Sequence, residues 1–282
     1  MKVNLAKSAG FCFGVKRALK IAISLAESGK DIEMLGDIVH NECVVKEIQS
    51  AGIKKISKLN CGKGKTLLIR AHGACNNLIE HANTLGYKIV DATCPMVKEI
   101  HRITIEMDKK GFTIIIIGDK KHDEVQGIAG QIKKRVIIID KLENIPYEKI
   151  KIIRKACIVV QSTQNLEKVL RITEALKQHI PELKFFNTIC VPTRMKQQEI
   201  KTMPLKNDLM IIIGSKNSAN TRRLYEISKS LNKRSYWVQS KKEINPAWFK
   251  GVRKVGITSG SSTPDVTTKE IIAFIKQSNL LT

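Results

Sequence analysis

Short apolar runs alternate with helix-compatible segments along the 282-residue chain, and this alternation constrains the fold more than any other feature. The clearest run, residues 112–117, is apolar at every position but one. Such a run is typical of a strand buried on both faces of a parallel sheet. Between the runs, segments such as residues 15–26 carry apolar side chains three and four positions apart, which indicates amphipathic helices. The sequence therefore predicts an α/β fold with mainly parallel sheets.

Three cysteines lie in similar motifs ahead of a helix-compatible segment, and for Cys94 and Cys190 a strand-like run leads into the motif. Cys94 lies in DATCP, Cys190 in NTICVP and Cys12 in GFCFGV. The start of a helix favours a thiolate, because backbone N–H groups and the helix dipole lie nearby. We expect three similar α/β lobes (residues 1–94, with the Cys12 segment at its start, 95–190 and 191–282) that each deliver one cysteine.

The three corner cysteines suit a shared metal centre better than simple packing, because their context repeats. Their long spacing is unlike the compact pairs of zinc ribbons or ferredoxins. Three thiolates would leave one iron of a 4Fe-4S cluster open to a substrate, as an open position does in catalytic zinc sites. For the remaining cysteines we expect small apolar packing residues: Cys43, Cys61, Cys75 and Cys157.

Composition bounds the class of protein without deciding it. No apolar run approaches the roughly 20 residues that span a bilayer, and no signal-like segment opens the chain, so we expect a cytoplasmic protein with reduced cysteines. The net charge of +23 fits an anionic substrate or a nucleic acid. Basic residues are dispersed and aromatics make up only 5%, which disfavours nucleic acid. A basic nucleic-acid-binding protein and a structural zinc protein remain the alternatives.

Polar side chains follow several of the predicted strands, at the edge of a parallel sheet where ligands gather. His40, His72 and His122 each come directly after a strand or its short loop, and imidazoles suit a phosphate ester as donors and proton carriers. Glu124 is a candidate proton donor if burial raises its pKa, and otherwise a solvated carboxylate at a helix start. Other loops open helices with possible anion donors: Ser218, Asn220 and Ser262.

In order along the chain, these segments resemble one family, the 4-hydroxy-3-methylbut-2-enyl diphosphate reductases of the methylerythritol phosphate route to isoprenoids. The resemblance covers essentially the whole chain. It rests on the three cysteine motifs and on six further segments: VHN at His40, AHG at His72, HDEVQG at His122, QST at Ser162, GSKNSAN at Ser218 and GSSTP at Ser262.

The resemblance implies three α/β lobes around a central 4Fe-4S cluster, one per chain, held by Cys12, Cys94 and Cys190. The open iron would bind the hydroxyl of an allylic diphosphate, which is reduced to isopentenyl and dimethylallyl diphosphates. The catalytic residues would be Glu124, Ser162 and His122. Ferredoxin or flavodoxin would donate the electrons. The substrate would be held by a larger set: His40, His72, His122, Ser162, Thr163, Ser218, Asn220 and Ser262.

Four positions depart from the family pattern. Ser162 stands where Thr is usual and keeps a hydroxyl, whereas Ala219 lacks the hydroxyl of a common second Ser. Asp123 replaces the usual Pro and adds a carboxylate beside Glu124, which can perturb its pKa. Lys196 stands where Arg is usual. These departures bear on rate and affinity more than on the type of reaction.

Overall fold

The computed structural model describes residues 1–134 and 136–278 of the chain. Its strands are β1 (Lys2–Leu5), β2 (Ile32–Leu35), β3 (Lys54–Ile56), β4 (Thr66–Ile69), β5 (Lys88–Asp91), β6 (Thr113–Ile117), β7 (Ile137–Ile139), β8 (Lys155–Val160), β9 (Glu182–Phe185), β10 (Leu209–Ile213), β11 (Ser235–Val238) and β12 (Lys254–Ser259).

Helices connect these strands throughout. They are α1 (Phe13–Ala26), α2 (Glu42–Ser50), α3 (Asn76–Thr84), α4 (Pro95–Lys109), α5 (Asp123–Ala129), α6 (Tyr147–Ile150), α7 (Leu166–Lys177), α8 (Val191–Ile200), α9 (Ala219–Leu231) and α10 (Asp265–Ser278). Short 3-10 turns are Leu142–Asn144, Met203–Leu205, Lys241–Glu243 and Pro246–Phe249. Within the described residues, no helix combines the length and apolar composition needed to cross a bilayer.

The strands form three four-stranded sheets with the same order of connection. The orders are β3-β2-β4-β5, β7-β6-β8-β9 and β11-β10-β12-β1, and all neighbouring strands are parallel. In each sheet the two central strands are separated in sequence by a strand on one outer edge, and one further strand completes the other edge. These three parallel sheets confirm the predicted fold class.

The third sheet takes its last strand from the beginning of the chain. β1 pairs with β12 in a register that joins Lys2 to Lys254 and Leu5 to Ile257. The division into consecutive lobes 1–94, 95–190 and 191–282 stays a prediction, but β1 departs from that order, because it lies in the sheet of the C-terminal strands. A pairing between residues some 250 positions apart leaves no trace in local hydrophobic pattern.

The described chain divides into two compact units. One comprises Met1–Lys16, His40–Val44 and the residues from Val191 onward, and it holds the sheet that β1 completes. The other comprises Arg17–Val39 and Val45–Cys190, and it holds the other two sheets.

β6 shows why these apolar runs become central strands. Side chains alternate between the faces of a strand, so Ile115 and Ile117 pack into one apolar cluster with α7, and Ile114 and Ile116 into another with α4. None of the four is more than 1% exposed. Each such side chain stabilises the fold by about 1.5–3 kcal/mol relative to an exposed one. The run predicted at residues 112–117 is therefore a strand buried on both faces.

Candidate active site

The three corner cysteines occupy equivalent places in the three sheets. Each follows the edge strand that lies beside the second central strand, and each directly precedes a helix: Cys12 follows β1, Cys94 follows β5 and Cys190 follows β9. The N–H of each cysteine donates to a carbonyl two residues past the neighbouring central strand. The acceptors are Ser261 for Cys12 at 3.1 Å, Ala71 for Cys94 at 3.0 Å and Ser162 for Cys190 at 3.0 Å.

The chemistry of these three thiols fits iron–sulfur ligation. All three are half-buried and none is in a disulfide. Iron–sulfur clusters are held by cysteine thiolates. Cys157 differs: it is fully buried in the apolar core, and burial raises the pKa of its thiol to about 12. Cys157 is thus the packing residue that was predicted, whereas that prediction is wrong for Cys43 and Cys61, which are exposed.

The other candidate residues follow the central strands. After the first central strand of each sheet come His40 (after β2), His122 and Glu124 (after β6), and Ser218 and Asn220 (after β10). After the second central strand come His72 (after β4), Ser162 and Thr163 (after β8), and Ser262 (after β12). Each sheet thus delivers two polar loops and one cysteine from the carboxyl ends of parallel strands, where α/β folds place their ligands.

Glu124 is the carboxylic acid among these candidate residues, and its pKa is strongly shifted. It is 2% exposed, and its carboxylate accepts the backbone N–H of Ser162 at 2.6 Å and the Ser162 hydroxyl at 3.0 Å. Burial raises the pKa of Glu124 to about 7, although the two bonds from Ser162 lower it, and the charge of Asp119 raises it further. A carboxyl group with a pKa near neutrality can give up a proton at physiological pH.

His122 and His72 lie next to one another in the unit that contains both, and His122 also contacts the backbone of Glu124. Their rings are 5.5 Å apart in a T-shaped arrangement. Nδ1 of His122 accepts the N–H of Glu124 at 3.1 Å, so a neutral His122 carries its hydrogen on Nε2. This contact caps the start of α5 and fixes the ring against the helix that carries Glu124.

Thr163 lies beside Ser162, but its hydroxyl has a different neighbour. Its Oγ1 accepts from Nε2 of Gln161 at 3.2 Å, and Oε1 of that glutamine accepts the N–H of Asp119 at 2.9 Å. Gln161 therefore joins the loop after β8 to the loop after β6, which carry Ser162 and Glu124 respectively.

In the other unit, Ser218, Asn220, Ser262 and His40 supply polar groups. Ser262 donates its hydroxyl to the carbonyl of His40 at 3.1 Å, and Ser218 caps α9 by accepting the N–H of Thr221 at 3.3 Å. Asn220 is 4% exposed, and neither its amide oxygen nor its nitrogen has a hydrogen-bond partner among the described residues. A buried amide without partners is costly unless a ligand or water satisfies it.

Asp123 has a partner that the sequence did not reveal. Its carboxylate pairs with the guanidinium of Arg70 at 2.6 Å, and both side chains are partly exposed. Arg70 directly follows β4, two residues before His72, so the pair ties the His72 loop to the start of α5. The acidic neighbour that raises the pKa of Glu124 is instead Asp119.

One known protein family matches nearly the whole chain. A family model described as LytB protein matches residues 3–276. The chain belongs to the LytB family. This membership confirms the resemblance seen in the sequence. A relative named 4-hydroxy-3-methylbut-2-enyl diphosphate reductase, from Pelobacter propionicus, is 38% identical and covers 99% of both chains. The Aquifex aeolicus relative of that name is 39% identical over 98% of this chain and 96% of its own.

Solved structures in the LytB family agree with the fold. A structure of (E)-4-hydroxy-3-methyl-but-2-enyl diphosphate reductase, described as the terminal enzyme of the non-mevalonate pathway, is 39% identical, with a TM-score of 0.72 over 98% of this chain and 100% of its own. The reductase from Plasmodium falciparum is 28% identical, with a TM-score of 0.89 over 96% of this chain and 87% of its own. As a LytB-family member, the chain is an enzyme of the oxidoreductase class.

Proposed function

We propose that the chain reduces 4-hydroxy-3-methylbut-2-enyl diphosphate to isopentenyl and dimethylallyl diphosphates. Two electrons and two protons enter, the allylic C–O bond breaks, a C–H bond forms and the hydroxyl leaves as water. The observation that carries the proposal is the buried Glu124, with a pKa near 7, held by Ser162 in a LytB-family chain.

Cys12, Cys94 and Cys190 are the residues suited to hold a 4Fe-4S cluster. Their support is the repeated placement after an edge strand and before a helix, with half-buried thiols. Such a cluster supplies the two electrons, one at a time, and a Lewis-acidic iron for the substrate hydroxyl. A ferredoxin or flavodoxin is the class of donor that delivers electrons at the required low potential.

Glu124 and Ser162 hold and move the proton. Because burial raises the pKa of Glu124 to about 7, this carboxyl can both hold and release a proton near neutral pH. The Ser162 hydroxyl donates to one carboxyl oxygen, and in this proposal it passes a hydrogen between that oxygen and the departing hydroxyl. His122 keeps the start of α5 in place through the N–H of Glu124. Protonation of the leaving oxygen turns it into water, a far better leaving group than hydroxide.

The diphosphate requires several converging donors, and we assign them to the loops after the central strands: His40, His72, His122, Thr163, Ser218, Asn220 and Ser262. The unsatisfied amide of buried Asn220 supports this assignment, because a phosphate oxygen can accept from its NH₂ group. Imidazole and hydroxyl groups can donate in the same way.

Anaerobic purification of the wild-type chain and of Cys94→Ser tests the proposal. We expect about four irons per wild-type chain, a broad visible charge-transfer band and turnover of the allylic diphosphate with a chemical reductant. Cys94→Ser should lose turnover and most of its iron. The matched control is Cys61→Ser, which alters an exposed thiol outside the three corners. Full turnover in Cys94→Ser, or a wild-type chain that resists reconstitution, would refute the proposal.

A further inference from the structure

α8 contains a cation that is buried more deeply than its chemistry would suggest. Lys196 is 3% exposed. None of the described carboxylates forms an ion pair with it. A lysine is rarely this buried unless it has partners, because an ammonium loses its hydration shell.

The partners of Lys196 are backbone carbonyls. Its Nζ donates to the carbonyl of Gly10 at 3.2 Å, to that of Ser259 at 3.0 Å and to that of Ser8 in a shorter contact. Ser8 and Gly10 lie in the segment between β1 and Cys12, and Ser259 is the last residue of β12. One ammonium with three donors therefore ties the segment leading to Cys12 to the end of a central strand.

Glu199, one turn later on α8, holds the other side of this segment. Its carboxylate accepts the N–H of Lys7 at 2.6 Å, the N–H of Ser8 at 3.0 Å and the Ser8 hydroxyl at 2.5 Å. Glu199 thus accepts from N–H groups of the segment, while Lys196 donates to its carbonyls. The two side chains fix the segment without any regular secondary structure.

The backbone at Gly10 leaves little freedom for the segment to move. Its N–H donates to the hydroxyl of Ser259 at 2.6 Å, and its φ is +91°, a value that favours glycine. A Cβ at this position would lie 2.3 Å from Oδ1 of Asp265. Two residues on, the N–H of Cys12 donates to Ser261. The path to the thiol is therefore fixed from Lys7 to Cys12.

We infer that Lys196 is the positioning residue for Cys12. Its ammonium anchors the segment that carries this thiol, and it provides a positive charge near the thiolate that would bind a cluster. The second half of the inference rests on the proposed function, because it requires a cluster at Cys12. A cation beside an anionic cluster stabilises the reduced, more negative state and so raises the reduction potential. Partners of this kind typically change metal affinity by about 10- to 100-fold.

The experiment compares Lys196→Met, Lys196→Arg and Arg194→Met. Arg194 lies on the same helix but is exposed, so Arg194→Met removes one charge without touching the segment. We expect Lys196→Met to speed amide exchange in residues 7–12, to lose iron to a chelator about tenfold faster and to lower the midpoint potential of the remaining cluster. Lys196→Arg should keep the amide exchange, the rate of iron loss and the midpoint potential close to those of the wild type, because a guanidinium keeps both the charge and several donors.

Each outcome decides a separate point. Exchange in residues 7–12 that is the same for Lys196→Met and Arg194→Met would overturn the anchor, and equal potentials would overturn the charge effect. Should Lys196→Met not fold, rapid exchange of the Gly10 and Cys12 amides in the wild-type protein would by itself contradict the anchor. A wild-type chain that binds no iron would refute the proposed function and the charge effect. The exchange data would still show whether Lys196 anchors the segment.

Discussion

Replacing Glu124 with Gln should stabilise the chain at alkaline pH while abolishing most of its turnover. The substitution imitates the protonated acid: the amide carbonyl can accept the Ser162 N–H, and the amide NH₂ can donate to the Ser162 hydroxyl. The folded state holds the pKa of Glu124 at about 7, against an ordinary value of 4.5. At about 1.4 kcal/mol per pKa unit, this difference corresponds to roughly 3 kcal/mol.

The sign follows from which state prefers the proton. Because the folded pKa is raised, the contribution of Glu124 to stability is fully present below pH 4.5 and is lost as pH rises through 7. Glu124→Gln has no charge to bury, so its unfolding free energy does not show this loss. The unfolding free energy of Glu124→Gln minus that of the wild type should therefore be roughly 3 kcal/mol larger at pH 8 than at pH 4. Turnover should fall about 10²- to 10⁴-fold with the loss of the proton donor.

Denaturant unfolding of the wild type, Glu124→Gln and Glu80→Gln between pH 4 and 8.5 measures the effect. Glu80 is an exposed carboxylate on α3, so Glu80→Gln is the matched control that removes a carboxylate outside the buried site. Other titrating groups are common to all three proteins and cancel in the differences. Parallel curves for the wild type and Glu124→Gln would refute the argument, because they would show that Glu124 titrates at the same pH in the folded and unfolded states.

Two further predictions concern the neighbours of this acid. Ser162→Ala removes a hydroxyl that lowers the pKa of Glu124, so that pKa should rise by about 1, as followed by infrared titration of the carboxyl; Ser162→Thr, which keeps the hydroxyl, should not show the rise. Arg70→Met removes the guanidinium that pairs with Asp123, so the Asp123 carboxylate should raise the pKa of the neighbouring Glu124 and move the alkaline limb of the pH–rate profile to higher pH, and Arg70→Met with Asp123→Asn should return it. An unmoved limb in Arg70→Met would contradict the second prediction.

Local pattern was sufficient for the central strands and the cysteine corners. The run predicted at residues 112–117 is β6, and the central strands β2 and β10 are similarly apolar, because strands buried on both faces must be apolar at nearly every position. The position of Cys94 before a helix followed from Pro95, whose missing N–H is tolerated at a first helical position.

Two of the edge strands and the partners of several charged side chains could not be predicted from local pattern. β1 and β3 are short strands with exposed or half-buried side chains, so neither has the apolar run that marks a central strand. The partner of Asp123 was also hidden, because Arg70 lies 53 positions away and only the fold brings the two together. The burial of Lys196 was hidden as well, since burial depends on the packing of α8 and not on the residue type.

The pairing of β1 with β12 also sets an order of events during synthesis. Among the described strands β1 is made first, and its neighbour β12 is made roughly 250 residues later. At about 5–20 residues per second, that interval lasts roughly 12–50 seconds. The strand that leads to Cys12 therefore has no β12 to pair with during that interval, and the sheet that contains β1 can be completed only after β12 has been made.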